Sequence, residues 1–134
     1  MKTYLSSTLI MKTIFMAAAM LFLFAAHAQN SEALLAGLKA GNASAVAKHF
    51  ESSIEFTLPS KSSAYSKAQA EVVLREFFSK KDIKGFELKH QGTSPEGSKY
   101  FVGTLQTAAG NYSTYIYGKV VNGVLTVREL RIEE

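Results

Sequence analysis

The 134-residue chain contains no cysteine, and this absence excludes several classes of protein. Without thiols the chain cannot form a disulfide, and it cannot bind zinc or an iron–sulfur cluster through thiolates. It also has no cysteine to carry a lipid, so a lipoprotein is excluded. Its stability must therefore come from a hydrophobic core alone.

Histidine is scarce as well. His27, His49 and His90 are the three in the sequence, too few and too widely spaced for a zinc motif. The sequence also lacks a nucleophile elbow, a glycine-rich phosphate loop and a pair of carboxylates at a catalytic spacing. We therefore expect no metal and no cofactor, and we assign no catalytic residue.

Charge of one sign is not concentrated in any segment. The chain has 15 basic and 11 acidic residues, and its tightest basic cluster, residues 80–84 (KKDIK), includes an acid. Binding to nucleic acid needs a basic stripe on one face of the domain. Nucleic acid is therefore excluded as a partner.

The most informative feature present is the start of the chain. Lys12 precedes an apolar run from Ile14 to Ala26, residues 26–28 (AHA) give a small-x-small pattern, and polar residues follow. These are the three parts of a secretory signal peptide. The run of 13 residues is shorter than the ~20 that a membrane-spanning helix needs.

We therefore expect residues 1–28 to be a signal peptide cleaved after Ala28, and a secreted or periplasmic protein without stable membrane insertion. Residues 29–134 then form one domain with a net charge of +2. Because a Met-Lys-Thr triplet stands at both Met1 and Met11, either methionine is a candidate start.

Apolar periodicity predicts two short helices capped by Ser31 and Asn42, then a strand that Pro59 ends. Residues 60–65, which are rich in serine, are predicted as a loop. The clearest helix is predicted from Lys67 to Ser79, with a capping box formed by Ser66 and Gln69. Its apolar stripe consists of Ala70, Val73, Leu74, Phe77 and Phe78.

The rest of the chain is typical of β-strands, with runs over residues 86–90, 100–107, 112–121 and 124–132. Asn122-Gly123 is a strong hairpin signal, and Ala109-Gly110 is a weaker one. Since strands and helices do not alternate, we predict an α+β fold with the order α-α-β-α-β-β-β-β, in which the last four strands are antiparallel.

Two-residue turns at these positions fix which residues share a sheet face. In this register Tyr117 lies opposite Arg128, which allows a cation–π pair. The apolar face faces the helix and consists of Phe101, Leu105, Ile116, Val120, Leu125 and Val127, with space at Gly103 and Gly118. The opposite face consists of Tyr100, Val102, Thr104, Tyr115, Tyr117, Lys119, Thr126 and Arg128.

The element order and three segments carry a resemblance to known proteins. The stretch from Leu34 to Phe50 (LLAGLKAGNASAVAKHF) resembles the opening of the nuclear-transport-factor-2-like, or cystatin-like, superfamily. The stretches from Phe50 to Pro59 and from Tyr65 to Phe78 resemble a family of short exported Bacteroidetes-type proteins of unknown function. The superfamily resemblance implies helices on the concave face of a curved sheet, often around a pocket. The family resemblance implies export and this fold, without an assigned activity.

Two functions remain open, and a structural role as a subunit of a larger envelope assembly is not distinguished from the first of them. The first is a non-catalytic module that binds a small ligand or a protein, or forms a homodimer, through the aromatic sheet face, with Tyr100, Tyr115, Tyr117, Arg128 and His90 as candidate binding residues. The second is a small pocket enzyme, such as an isomerase, dehydratase or hydrolase, that uses His90 with a tyrosine. His90 is assigned to it because it alternates with Phe86 and Leu88 and is expected to point inward. His49, Glu55 and Tyr65 are weaker candidates, and His49 is expected to serve a helix end as a cation.

Overall fold

The computed structural model describes Met11, Ile14 and residues 31–134, so nearly all of the predicted signal peptide lies outside the described residues. Two short helices, α1 (residues 31–40) and α2 (Ala43–Ala47), lead into strand β1 (Phe50–Leu58). The remaining elements are β2 (Lys61–Ser66), α3 (Lys67–Lys81), β3 (Ile83–Thr93), β4 (Ser98–Thr107), β5 (Gly110–Val121) and β6 (Val124–Glu133). The predicted α+β class and element order are confirmed, with one additional strand.

Local side-chain contacts explain where the helices begin and end. Asn42 caps α2 by accepting a hydrogen bond from the backbone of Ala45, and Ser66 and Gln69 form the predicted capping box of α3. Ser31 is itself helical, so it is not the cap predicted for α1. Asp82 ends α3 in the left-handed conformation, with φ 57°.

The strands form one sheet in the order β2-β1-β6-β5-β4-β3, in which only β1 and β6, among the strands described, pair in parallel. The prediction of a loop over residues 60–65 is wrong, because this segment forms β2 and pairs with β1 along its length. Serine is not among the residues that favour strands, but the two-residue turn after Leu58 brings the segment against β1. Tyr65 then packs edge-on against Phe56, with ring centroids 6.1 Å apart.

The turn between β4 and β5 consists of Ala108 and Ala109, one residue earlier than predicted. Thr107 stabilises this turn, since its hydroxyl accepts from Ala109 N (3.1 Å) and donates to Gly110 O (2.6 Å). Phe101 therefore lies opposite Ile116 rather than Gly118. A shift of two residues preserves the facing of every side chain, so the predicted faces survive the change of register.

The hairpin of β5 and β6 begins in the predicted register and then departs from it. Val121 pairs with Val124 and Gly118 with Val127, but Tyr117 lies opposite Glu129 instead of Arg128. A β-bulge at Arg128 causes the change, because two residues of β6 oppose one of β5. A Cβ atom at Gly118 would lie 2.5 Å from Thr126 O, so the close approach of the strands here requires glycine.

The core lies between α3 and the sheet, and the predicted apolar face is confirmed. Its members Phe101, Leu105, Ile116, Leu125 and Val127 are at most 2 % exposed, and Val120 is half-buried. Because Gly103 has no side chain, the ring of Phe86 on the neighbouring strand packs directly over its Cα. An added Cβ would lie 2.4 Å from Phe86 Cζ and 2.5 Å from Glu87 O.

Gly103→Ala should therefore destabilise the domain by about 1–3 kcal/mol, because the added methyl group overpacks the core. Urea denaturation of residues 29–134 measures the free energy of unfolding. Thr104→Ala, which changes the next residue on the opposite face, is the control and should cost less. Equal unfolding midpoints for the two variants would contradict this account of the packing.

Candidate functional site

Aromatic side chains fill the interior where members of the predicted superfamily often have a pocket. Phe77 of α3 packs edge-on against Tyr112 of β5, with ring centroids 5.5 Å apart, and Phe78 and Phe86 are also buried. Phe101 and other sheet residues beneath them have almost no accessible surface. A hollow large enough for water would give these residues accessible surface, so none lies beside them in the described structure. Among residues 31–134, Thr114 is the one polar side chain in the buried set.

His90 does not point into this interior, so the prediction of its orientation is wrong. The pairing of β3 with β4 shifts between Leu88 and His90, and His90 lies opposite Val102. This bulge at Lys89 moves His90 to the face directed away from α3, where it is exposed. The residue proposed for a pocket enzyme is therefore separated from the interior by the sheet.

The face directed away from α3, here called the outer face, brings the predicted tyrosines together. Tyr100 lies opposite Tyr117, and Val102 lies opposite Tyr115. Tyr100 is 42 % exposed, and its ring covers Gly92, where an added Cβ would lie 2.3 Å from Tyr100 Cε1. No described helix covers this face.

Hydrogen bonds and charges order the outer face. The hydroxyl groups of Tyr117 and Ser98 lie 3.1 Å apart. Arg131 Cζ lies 5.2 Å from the centroid of the Tyr115 ring, and Arg131 Nε donates to Glu129 Oε1 at 2.5 Å. This hydrogen bond to Glu129 raises the pKa of Arg131 above its ordinary value. Arg131 is therefore a permanent cation on the outer face.

The predicted cation–π pair between Tyr117 and Arg128 is not formed. Because of the bulge, Arg128 lies beside β1, with its Nε 3.3 Å from Glu51 Oε2 but without a hydrogen bond. Arg131 occupies the position over a tyrosine instead. The sequence does contain a signal for this change: buried apolar residues fall at odd positions up to Val127 and at even positions from Leu130.

The weaker candidates are dispersed. Glu55 is exposed on the outer face. It lies opposite Glu129, which in turn lies opposite Tyr117. Tyr65 lies on the opposite side of the sheet, the side that carries α3: it pairs with the buried Ile54 and packs against Phe56.

His49 is half-buried beside β6, and its backbone carbonyl accepts from Val127 N at 2.6 Å. Burial lowers the pKa of His49, and the cations of Lys67 and Lys48 lower it further, although a hydrogen bond to the backbone of Leu125 opposes them. The cationic role predicted for His49 is thus disfavoured.

Neither a metal cluster nor a membrane span is found in the part of the chain that the structure describes. No three His, Asp or Glu side chains there converge as metal ligands. No described helix is both long and apolar enough to cross a bilayer. An open depression of about 360 Å³ lies between the β1–β2 turn and α3, lined by Leu58, Lys61, Val73, Phe77, Lys81 and others.

The chain belongs to the family named Domain of unknown function (DUF4783), whose profile matches residues 31–133. A DUF4783 protein from Bacteroides ovatus is 26 % identical, with a TM-score of 0.72 over 76 % of this chain and 92 % of that one. No curated protein matches the chain at a significant level.

More distant structures show the same fold. An NTF2-like protein of unknown function from Cytophaga hutchinsonii has 9 % identity and a TM-score of 0.56, over 79 % of this chain and 87 % of that one. A cystatin-fold protein from Novosphingobium aromaticivorans has 7 % identity and a TM-score of 0.60, over 81 % and 97 %. The predicted resemblance to this superfamily is confirmed.

The lowered pKa of His49 predicts a pH dependence of stability. As the pH falls below about 6.5, His49 binds a proton in the unfolded chain before it does so in the folded one. The contribution of His49 to the free energy of unfolding is therefore fully present above that pH. This contribution is lost as the pH falls through the folded-state pKa. Between pH 7.5 and 5.0 the wild type should lose more stability than His49→Gln, measured by urea denaturation. Parallel curves would contradict the assignment.

Proposed function

We propose that this domain is an exported binding module without catalytic activity that forms a homodimer through the outer face. The observation that carries the proposal is a sheet whose inner face is packed under α3, while no described helix covers its outer face with the exposed Tyr100 and the half-buried Tyr115 and Tyr117. Tyrosine and arginine are enriched in protein interfaces. Large aromatic side chains bury much area there and keep a polar group for hydrogen bonding.

The distribution of charge favours a second copy as the occupant. A two-fold dimer interface must be complementary to itself, so it needs both signs of charge on one surface. Lys119 and Arg131 supply the cations, and Glu55 and Glu129 supply the anions in the same and neighbouring strands. A surface adapted to a nucleic acid or to an anionic ligand would carry mainly one sign.

Tyr117→Glu should disrupt this dimer, because it places an unpaired carboxylate beside Glu129 in the centre of the face. We expect the dissociation constant to rise at least about tenfold, equivalent to ~1.4 kcal/mol. Sedimentation velocity on residues 29–134 measures it, and circular dichroism checks folding.

The control is Val72→Glu, which adds the same charge on α3 at a residue 50 % exposed and should leave the dimer intact. A wild-type protein that stays monomeric at high concentration would rule out the homodimer. Equal effects of the two variants would remove the outer face from the interface.

Export is the second part of the proposal, and it rests on the leader composition. Expression of the full chain in a Gram-negative bacterium should yield a periplasmic protein whose mass corresponds to a start at Gln29. Substituting Leu21 and Leu23 with arginine should keep the uncleaved chain in the cytoplasm, since the apolar run is then broken. Cleavage elsewhere, or a periplasmic double variant, would contradict this prediction.

A further inference from the structure

Strand β2 forms one edge of the sheet, and its backbone is available for another strand. Leu58 pairs with Lys61 across the two-residue turn, which makes them a hydrogen-bonded pair. Since such pairs alternate along an antiparallel ladder, Ser62 and Ala64 direct their N–H and C=O groups away from β1. The carbonyl of Ala64 accepts from Ser63 Oγ at 3.3 Å. No described residue is hydrogen-bonded to the N–H groups of Ser62 and Ala64.

The two edges of the sheet differ in protection. On β3 the pairing is irregular at two places, and long charged side chains stand along the edge in ion pairs such as Lys89–Glu87 and Lys84–Asp82, each 2.9 Å. Bulges and charges of this kind prevent the addition of a strand. On β2 the residues 62–64 are small, uncharged and exposed, so no side chain of the described residues on this strand obstructs an approaching backbone.

An apolar groove runs beside this edge. Tyr65 at the end of β2 and Ala68, Val72 and Val73 on α3 line a shallow depression of about 390 Å³, together with Gln69. Val72 is half exposed there. In an added strand alternate side chains point to the same side, so every second residue would lie over this groove. An occupant with apolar residues at alternate positions fits it.

Charge distinguishes between the possible occupants. Lys61 stands at one end of β2 and Lys67 follows its other end, both exposed, and residues 60–70 contain no acid. Antiparallel pairing of β2 with β2 of a second copy would bring these cations together, and like charges opposite each other destabilise a sheet. A strand flanked by acidic residues is complementary at both ends.

We propose that the β2 edge binds an extended, acid-flanked segment of another protein, which adds to the sheet as a seventh strand and places alternate apolar residues in the groove of Tyr65 and Val72. This mode of recognition combines backbone hydrogen bonds with side-chain pockets. It is independent of the homodimer, since it uses the sheet edge and α3 rather than the outer face.

The test uses an acetylated and amidated peptide, Glu-Val-Thr-Val-Thr-Val-Glu, titrated to about 1 mM, a range that detects even a weak affinity of ~4 kcal/mol, into ¹⁵N-labelled protein of residues 29–134. We expect saturable amide shifts confined to Ser62–Tyr65 and the Val72 region. A peptide with lysine at both ends, and one N-methylated at alternate residues, should bind at least tenfold more weakly. These controls separate the contributions of charge and backbone.

Two variants complete the test. Ala64→Pro removes an outward N–H, and Val72→Lys blocks the groove without repelling the acidic ends, so each should weaken binding at least tenfold. Ser79→Lys, at an exposed position of the same helix outside the groove, is the matched control and should bind normally. Unchanged amide spectra elsewhere show that a variant is folded.

The proposal is overturned if the peptide causes no shifts or shifts at other residues, or if both variants bind normally. Concentration-dependent shifts of β2 in the free protein would also overturn it, because a second copy would then be the occupant.

Discussion

The packing of α3 onto the sheet is the constraint on which the rest of this domain depends. Without cysteine, the chain has no covalent crosslink, so the hydrophobic core in which Phe77 packs on Tyr112 and Phe78 is buried must hold the fold together. Buried side chains fill the space between α3 and the described strands. Any recognition has to take place on surfaces outside the core, which is why the outer face and the β2 edge are the regions of interest.

Two β-bulges determine what the outer face presents. The bulge at Lys89 moves His90 out of the interior face, and the bulge at Arg128 places Arg131 instead of Arg128 beside a tyrosine. Each bulge inverts the facing of the residues that follow it, because side chains alternate with a period of two. The chemistry of the surface is thus a consequence of two local irregularities in strand pairing.

The two proposed interfaces, the outer face and the β2 edge, differ in the groups that they present. The outer face offers aromatic area and charges of both signs, so its specificity depends on side chains. The β2 edge offers backbone donors and acceptors between two lysines, so its specificity depends on an extended conformation first and on side chains second. The two proposed interfaces occupy separate surfaces of the domain, so the occupation of one leaves the other accessible.

The sequence by itself determined the α3 helix with its capping box, the strands from β3 onwards and the apolar face from Phe101 to Val127, because hydrophobic periodicity and capping are local properties. The resemblance to known families followed from the same pattern and from short motifs. Only the tertiary structure decided that residues 61–66 form a strand, that β1 runs parallel to β6 and where His90 and Arg131 lie. Strand pairing joins residues distant in sequence, and a single unpaired residue in a ladder reverses every facing beyond it.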